Sequence, residues 1–346
     1  MKIFYGVQGT GNGHITRARV MAKELASAGF EVTYLFSGRS AADYVEMAMF
    51  KDYLCYSGLT FQFNKGEVQY LNTARNTRYG QFFKEIGSLD LGGYDLIISD
   101  FEPVTAWAAK KQGRKLIGIG HQYAFNYAIP KAGVDPIAAM ILKYFAPVDV
   151  GIGLHWHHFG QPILPPMIEI PPLPKTLKKN KIIVYLPFET LDDIVELLKP
   201  FSDFDFHVYS NEKMTHDLAH IQCTPVSRHD FAQDFADSIG IISNAGFELP
   251  SEALLAGKKI LVKPLHSQME QISNAFALKQ LGYGQTMFDL DRSVVEAWLD
   301  DQKLIQVSYP NVAKIMVAWI AKGMPTLDQE YISSVWNEVK VSHHKI

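Results

Sequence analysis

Short apolar stretches alternate with stretches of helical spacing along most of the chain. Residues 2–7 and 31–36 are rich in β-branched and aromatic side chains, which favours strands. The residues between them show helical spacing and end in Gly29, as helices often do. Further apolar stretches over 94–99 and 115–120 enclose another helical pattern. This alternation predicts βαβ units with a parallel sheet.

The same order of strands and helices starts again after a break. The break covers residues 161–181, which hold six prolines followed by a lysine cluster and therefore cannot form a regular helix or a central strand. Strand patterns then recur over 182–187, 204–210, 238–244 and 258–264. We therefore predict an α/β protein with two doubly wound, Rossmann-like parallel-sheet domains that face a cleft.

The proline-rich break also predicts the domain boundaries. Residues 1–162 are expected to form a first domain, 163–180 a linker and 181–325 a second domain. Residues 326–346 are expected to form a C-terminal helix that packs back on the first domain. Ligands of open α/β sheets bind beyond the carboxyl ends of the strands, so functional residues are expected at those ends.

Composition narrows the class of protein. The 346 residues suit two domains of about 150 residues each. A hydrophobic fraction of 47% and a net charge of -3 give no bias toward nucleic acid. Cys55 and Cys223 lie too far apart in the sequence to indicate a disulfide scaffold or a zinc site. Early glycines argue against a signal peptide, so we expect a cytoplasmic protein, with peripheral contact at the inner membrane face left open.

The first predicted strand runs directly into a glycine-rich loop and then a helix. Gly9, Gly11 and Gly13 allow a ligand to approach the backbone, and the free amides of a helix start favour negative charge. A dinucleotide site would need glycine where His14 stands, and an acid after the second strand, where the sequence has Arg39. We therefore expect neither a nicotinamide nor a flavin cofactor.

Three polar residues stand where strands of the first domain end. His14, at a helix start that disfavours the imidazolium, is either a neutral general base or a helix cap. Asp100 either caps the following helix or orients a histidine on the neighbouring strand tip. His121, which follows the strand over 115–120, is a third residue at this edge and a candidate to line the acceptor side.

The densest group of candidate ligand-binding residues lies between residues 243 and 284. Asn244 and Gly246 lie between a predicted strand and a helix, where backbone amides and the helix dipole suit a diphosphate. Glu252, six residues after Gly246, can accept both hydroxyls of a ribose. The loop after the next strand carries carboxylate and amide side chains that suit the hydroxyls of a hexose: Gln268, Glu270, Gln271 and Asn274.

Three more residues complete this group. Phe247 directly follows Gly246 at the predicted helix start. Residues 227–238, which include Arg228 and Phe231, are candidates to surround a nucleotide base.

The second-domain pattern resembles the donor-binding segment of GT-B glycosyltransferases. These include the UDP-glycosyltransferases of small molecules and the MurG-type enzymes of bacterial envelopes. The shared positions are Gly246, Glu252, Ala256-Gly257, Glu270-Gln271 and Asn274-Ala275. His14 is similar to the general base of the plant-type enzymes, and Asp100 to its partner. The resemblance is specific over residues 6–19, 98–107 and 228–284, and is strongest to prokaryotic members.

The resemblance implies an inverting, metal-independent transfer of a hexose from a nucleotide-diphosphate donor, mostly a UDP-sugar, to an acceptor hydroxyl in cell-envelope or glycan biosynthesis. Asn244 stands where many plant-type members have a phosphate-binding histidine, and Glu270 replaces the commoner aspartate, which leaves the sugar open. Retaining members carry a glutamate eight residues before the position of Glu252. That position is Asn244 here, which favours inversion.

The acceptor is expected on the first domain, near residues 61–83. Aromatic side chains there suit sugars or lipid-linked glycans, and arginines suit phosphate or carboxylate groups. Arg78 and Tyr79 are the candidates, although each is equally compatible with an ordinary surface residue.

Other functions stay open at this point. A nucleotide-sugar 2-epimerase of the same fold would need no acceptor, and a non-catalytic nucleotide-sugar-binding protein would tolerate loss of His14. Asp289 and Asp291 resemble the acid pair that holds a metal in the other glycosyltransferase fold, but one of them is expected to cap the following helix. No metal site is therefore expected.

Overall fold

The computed structural model describes residues 1–60, 63–64, 67–68, 78–133, 136–169, 177–213, 218–266 and 268–345. Two six-stranded parallel sheets, each flanked by helices, form the two halves of the molecule. The predicted α/β class with two Rossmann-like domains is confirmed.

The first sheet has the strand order β3-β2-β1-β6-β7-β8. The strands before residue 160 are β1 (Lys2–Gln8), β2 (Glu31–Ser37), β3 (Leu54–Tyr56), the short antiparallel pair β4 (Phe63–Asn64) and β5 (Glu67–Val68), β6 (Leu96–Asp100), β7 (Leu116–Gly120) and β8 (Val150–Gly153). The helices are α1 (Asn12–Ser27), α2 (Tyr79–Ser88), α3 (Pro103–Lys111) and α4 (Pro136–Tyr144). Because β1 is central, the loop after it lies at the middle of the sheet edge.

The second sheet repeats the arrangement, with the strand order β11-β10-β9-β12-β13-β14. Its strands are β9 (Lys181–Tyr185), β10 (Asp205–Tyr209), β11 (Ile221–Thr224), β12 (Gly240–Asn244), β13 (Lys259–Lys263) and β14 (Gln285–Thr286). Its helices are α5 (Leu191–Leu198), α6 (Arg228–Asp237), α7 (Glu248–Leu255), α8 (Met269–Gln280) and α9 (Arg292–Asp300). In both sheets the order reverses next to the first strand, which is where ligands of such sheets bind.

Buried apolar side chains join the two halves. One continuous cluster contains residues of both sheets, among them Ile3 of β1 and Ile183 of β9. Trp156, which is fully buried, donates its indole N–H to Ser251 Oγ on α7 at 2.7 Å. The two halves of the molecule are therefore in direct contact.

The chain returns to the first domain earlier than the boundary at 325 would suggest. Helix α10 (Val312–Ala321) packs against α1, and Asn311 Nδ2 donates to Glu24 Oε1 at 2.8 Å. Helix α11 (Gln329–Trp336) follows, and its Trp336 donates to the carbonyl of Ile163 at 2.6 Å. Two helices thus contact the first half of the chain.

The predicted C-terminal helix over 326–346 is wrong in its second half. Helix α11 ends at Trp336, and β16 (Lys340–Lys345) pairs antiparallel with β15 (Lys303–Ser308). The backbone of β15 has an open edge, so residues 340–345 gain inter-strand hydrogen bonds there that outweigh a weak helical preference.

The first part of the proline-rich segment is packed rather than loose. The described residues of the predicted linker, 163–169 and 177–180, contain no regular helix or strand, and Leu164 makes an isolated bridge to Leu154. Ile163, Leu164 and Met167 are buried. Within the described part of the chain, no helix is both long and apolar enough to cross a membrane.

Candidate functional site

The carboxyl ends of β1 and β6 bring the first two candidates together. Val7 pairs with Asp100 in the parallel register of these strands, and α1 starts only a few residues after β1 ends. His14 lies in the first turn of α1, and its Nδ1 is 2.7 Å from Asp100 Oδ1. Arg17 Nη2 lies 3.0 Å from the same Nδ1. Because Asp100 only accepts and Arg17 only donates, Nδ1 can hydrogen-bond one of them at a time. The shorter contact, with Asp100, favours a hydrogen on Nδ1, which leaves the lone pair of the neutral ring on Nε2. The predicted pair therefore has the geometry of a base and its orienting acid.

Arg17 also binds Asp100, from the next turn of α1. Its Nε donates to Oδ2 at 2.7 Å and its Nη2 to Oδ1 at 2.6 Å. Burial alone would raise the pKa of Asp100, but the charge of Arg17, together with His14, holds it below its usual value. Asp100 is therefore ionised at neutral pH although it is fully buried.

The second domain contributes a carboxylate to the same cluster. Glu248 is the first residue of α7, and its Oε1 accepts a hydrogen bond from Nη1 of Arg17. Burial raises the pKa of Glu248 to about 7, and Arg17 opposes that rise. Arg17 is thus held between one carboxylate of each domain, and it is only 2% exposed.

Two of the three predicted loop glycines are required by packing. A Cβ atom on Gly9 would lie 2.0 Å from the hydroxyl of Tyr44, and one on Gly13 would lie 2.6 Å from Cγ of Glu248. The nearest atom to a Cβ on Gly11 is 3.7 Å away, so that position has room. Gly13 therefore lets helix α7 of the second domain approach α1.

The tip of β12 has an open space next to it. Asn244 Nδ2 donates to the Lys263 carbonyl at 3.0 Å, while its buried Oδ1 has no partner among the described residues. A Cβ atom on Gly246 would meet nothing within 4 Å. No described neighbour demands glycine there, in contrast to Gly9 and Gly13.

Phe247 and His121 meet at the boundary between the domains. Their rings are parallel at 4° with centroids 3.9 Å apart, and Phe247 is only 5% exposed. His121 Nε2 lies 2.7 Å from Asn274 Oδ1, and Asn274 Nδ2 donates to the Ala245 carbonyl at 3.0 Å. Burial lowers the pKa of His121, so it is neutral at physiological pH. All three residues hold the domains together in this arrangement.

Gln122 of the first domain contacts the segment that follows β13. Its Nε2 lies 3.2 Å from both carboxylate oxygens of Glu270. Gln268 precedes α8 and has a buried Oε1 with no partner among the described residues, whereas Gln271 Oε1 accepts from the Leu265 amide at 3.2 Å. Glu270 therefore lies where the two domains meet.

Three further candidates lie on α6 and α7. Glu252 is half-buried one turn after Glu248 on α7. Phe231 on α6 packs edge-on against Tyr209, with ring centroids 4.9 Å apart. Arg228 begins α6, and its side chain lies outside the described residues.

Most of the proposed acceptor segment lies outside the described residues. Arg78 and Tyr79 are described, and both are exposed at the start of α2. No contact in the described structure joins either residue to His14 or Asp100.

Sequence reasoning missed Arg17, Gln122 and Glu248. Arg17 had a detectable signal, because a residue three positions after His14 lies on the same face of a helix. Glu248 and Gln122 had none, since their partners are 231 and 148 positions away in the sequence.

No group of three or more histidine, cysteine, aspartate or glutamate side chains within the described ranges could hold a metal ion. As expected, Asp291 caps α9, accepting from the Ser293 amide at 2.8 Å.

Comparison with known proteins gives one family and many similar folds. The family profile "Glycosyl transferase family 1" matches residues 1–140 and 159–302. No curated protein sequence matches significantly. The glycotransferase of kitacinnamycin is similar in structure, with a TM-score of 0.62, 13% identity, and 94% of this chain and 99% of that chain covered.

Two further solved structures are similar over nearly the whole chain. The glycosyltransferase SnogD from Streptomyces nogalater has a TM-score of 0.57 at 15% identity, with 97% of this chain and 99% of that one covered. The glycosyltransferase VinC, solved in complex with DTDP, has a TM-score of 0.54 at 14% identity and the same coverage. At these identities the likeness concerns the fold.

Gly13→Ala should destabilise the protein more than Gly11→Ala. The added methyl group on residue 13 collides with Glu248, and such overpacking typically costs about 1–3 kcal/mol. The thermal midpoint of each variant, measured by circular dichroism, checks this. Equal midpoints would mean that α7 does not dock against α1 as described.

Glu248→Gln should change how stability depends on pH. The folded-state pKa of Glu248 is raised to about 7. The contribution of this side chain to the stability of the fold is therefore fully present below the unfolded pKa of about 4.3, and it is lost as pH rises through about 7. Each pKa unit corresponds to ~1.4 kcal/mol. From pH ~4.5 to pH ~8, the unfolding free energy of the variant should therefore rise by about 2–3 kcal/mol relative to that of the wild type.

Urea unfolding across this pH range measures the difference in unfolding free energy. The exposed Glu296 on α9 supplies the control, because Glu296→Gln should show no such trend. A constant difference for Glu248→Gln would contradict the burial of this carboxylate.

Proposed function

This chain belongs to glycosyl transferase family 1, and we propose that it is an inverting glycosyltransferase that moves a sugar from a nucleoside diphosphate to an acceptor hydroxyl. The observation that carries the proposal is the His14–Asp100 pair, whose 2.7 Å contact lies at the carboxyl edge of the first sheet. Asp100 also contacts Arg17, which reaches Glu248 of the second domain. The base is thus adjacent to both halves of the cleft.

The base step follows from the state of His14. Its Nε2 accepts the proton of the acceptor hydroxyl as the oxygen attacks the anomeric carbon, and the ionised Asp100 stabilises the imidazolium that forms. General-base catalysis of this kind contributes about 10²–10⁴-fold. One displacement with attack opposite the leaving group inverts the anomeric configuration.

The donor is proposed to bind at the start of α7. The open space beside Gly246 admits a diphosphate to backbone amides at a helix N-terminus, and the helix dipole stabilises its departing charge. Asn244 lies beside this space. Because amides and the dipole supply the positive field, the proposed departure of the diphosphate needs no metal and no cofactor.

The other donor contacts extend from this point. We assign the ribose hydroxyls to Glu252 and the hexose hydroxyls to Glu270, Gln268 and Gln271. Phe231 and Arg228 are assigned to the base. A UDP-sugar is the proposed donor, and thymidine nucleotides belong in the test because VinC was solved with DTDP.

The acceptor is proposed to be a glycan or lipid-linked hydroxyl compound of envelope biosynthesis, bound by the first domain on the side of Arg78 and Tyr79. The sugar would then be added at the cytoplasmic side, with peripheral membrane contact where the acceptor is lipid-linked.

Nucleoside diphosphates should stabilise the protein against heat. At 100 times its dissociation constant, a ligand adds about 2.7 kcal/mol, a readily measured shift in midpoint. A thermal-shift panel of UDP, TDP, their sugar conjugates and NAD tests this, with Glu252→Ala expected to weaken the response. A response to NAD and to none of the nucleoside diphosphates would refute the proposal.

His14→Ala should lower turnover by about 10²–10⁴-fold and leave donor affinity nearly unchanged, because the base acts on the acceptor. Turnover with the identified donor is followed by NMR, which also gives the anomeric configuration of the product. Formation of an epimer from donor alone would indicate an epimerase, and donor binding with a rate indifferent to His14 would indicate a binding protein.

A further inference from the structure

The buried contact between Arg17 and Glu248 connects the His14–Asp100 pair to the second domain. We propose that Arg17 is a positioning residue which, through Glu248, couples the docking of the donor-binding helix α7 to the orientation of the base pair His14–Asp100. The proposal rests on the proposed function in one respect, that His14 acts as the base.

The geometry leaves Arg17 almost no freedom. Nε and Nη2 engage both oxygens of Asp100, and Nη1 donates to Glu248. A bidentate guanidinium–carboxylate contact fixes the plane of the carboxylate. Oδ1 of Asp100 is also the atom that contacts His14, and Nη2 of Arg17 itself lies 3.0 Å from His14 Nδ1. The orientation of Arg17 therefore bears on the imidazole both through Asp100 and directly.

Glu248 connects this arrangement to donor binding. It lies two residues after Gly246, at the helix start where the diphosphate is proposed to bind, and its Cγ packs over Gly13 of the opposite domain. When the domains separate, Arg17 loses the Glu248 contact and the constraint on Asp100 weakens. The base is then fully oriented only when α7 is docked.

The charges of the cluster make the coupling measurable. Glu248 faces Arg17 from α1, Asp100 from β6, Glu270 from α8 and Tyr5 from β1. With Glu248 ionised, Arg17, Asp100 and Glu248 carry one net negative charge, which favours the imidazolium that forms during transfer. With Glu248 protonated, Arg17 neutralises Asp100 alone and this assistance is lost. Burial raises the pKa of Glu248 to about 7, so the change falls near neutral pH.

Three variants test the coupling. Glu248→Gln removes the charge, Arg17→Lys keeps a cation that cannot contact both carboxylates at once, and the double variant Arg17→Met/Glu248→Gln avoids leaving a second buried carboxylate unpaired. Arg19→Lys is the matched control, because Arg19 is buried on the same helix and donates to the Val45 carbonyl instead. Circular dichroism and thermal midpoints establish that each variant is folded.

Turnover and donor affinity are measured from pH ~6 to pH ~8.5. For Glu248→Gln we expect the rise of kcat with pH near 7 to become smaller, because only the part caused by Glu248 is removed. We expect kcat at pH ~8 to fall about tenfold, with the UDP dissociation constant within about twofold of the wild type. Arg17→Lys should lower kcat at least tenfold, whereas Arg19→Lys should not. Unchanged kcat and pH profiles in both site variants would overturn the proposal, as would losses that simply add in the double variant.

A second measurement does not depend on activity. Nitrogen-15 histidine NMR reports which ring nitrogen of His14 carries the hydrogen, with His14→Gln used for assignment. We expect one tautomer, protonated on Nδ1, in the wild type and a mixture in the double variant. A failure of the proposed function would appear as no binding of any nucleoside diphosphate by the wild type. A failure of this inference would appear as the same single tautomer in the wild type and the double variant.

Discussion

A guanidinium buried between two domains constrains everything around it. Arg17 stays charged at any physiological pH, and at 2% exposure it has almost no water to solvate it. Its charge must therefore be met by Asp100 and Glu248, which come from the tip of β6 and the start of α7. Leaving a buried charge without a partner costs several kcal/mol. The strand tip, the helix and α1 are thus held in one arrangement by a single side chain.

The same contact explains the glycine at position 13, and it separates that glycine from others in the two loops. Gly13 is needed because the side chain of Glu248 passes over it to reach Arg17. Gly9 is needed because Tyr44 occupies the space that a Cβ atom would fill. Gly246 has open space instead. Glycines that look alike in a sequence therefore have different explanations: Tyr44 and Glu248 account for Gly9 and Gly13, whereas no described neighbour accounts for Gly246.

Local pattern was sufficient for the fold and for part of the site. Strand and helix periodicity reveals βαβ units because each element buries one face, and the parallel order then brings His14 and Asp100 to one edge. Pairings between distant positions leave no such pattern. The contact of Arg17 with Glu248, the stacking of His121 on Phe247 and the pairing of residues 340–345 with β15 all depend on where the domains meet. For that reason the sequence suggests the acceptor for His121 and the donor for Phe247, although the two rings are in contact.

The return of α10 to α1 has a consequence for how the chain is made. The face of α1 that packs against α10 is contributed by residues near position 20, while its cover comes from Val312–Ala321. A ribosome that adds about 5–20 residues each second needs tens of seconds to synthesise the segment between them. During that time the nascent first domain exposes an apolar surface that its own chain cannot yet cover. The packing of the first domain is therefore expected to be completed only after the second domain has emerged.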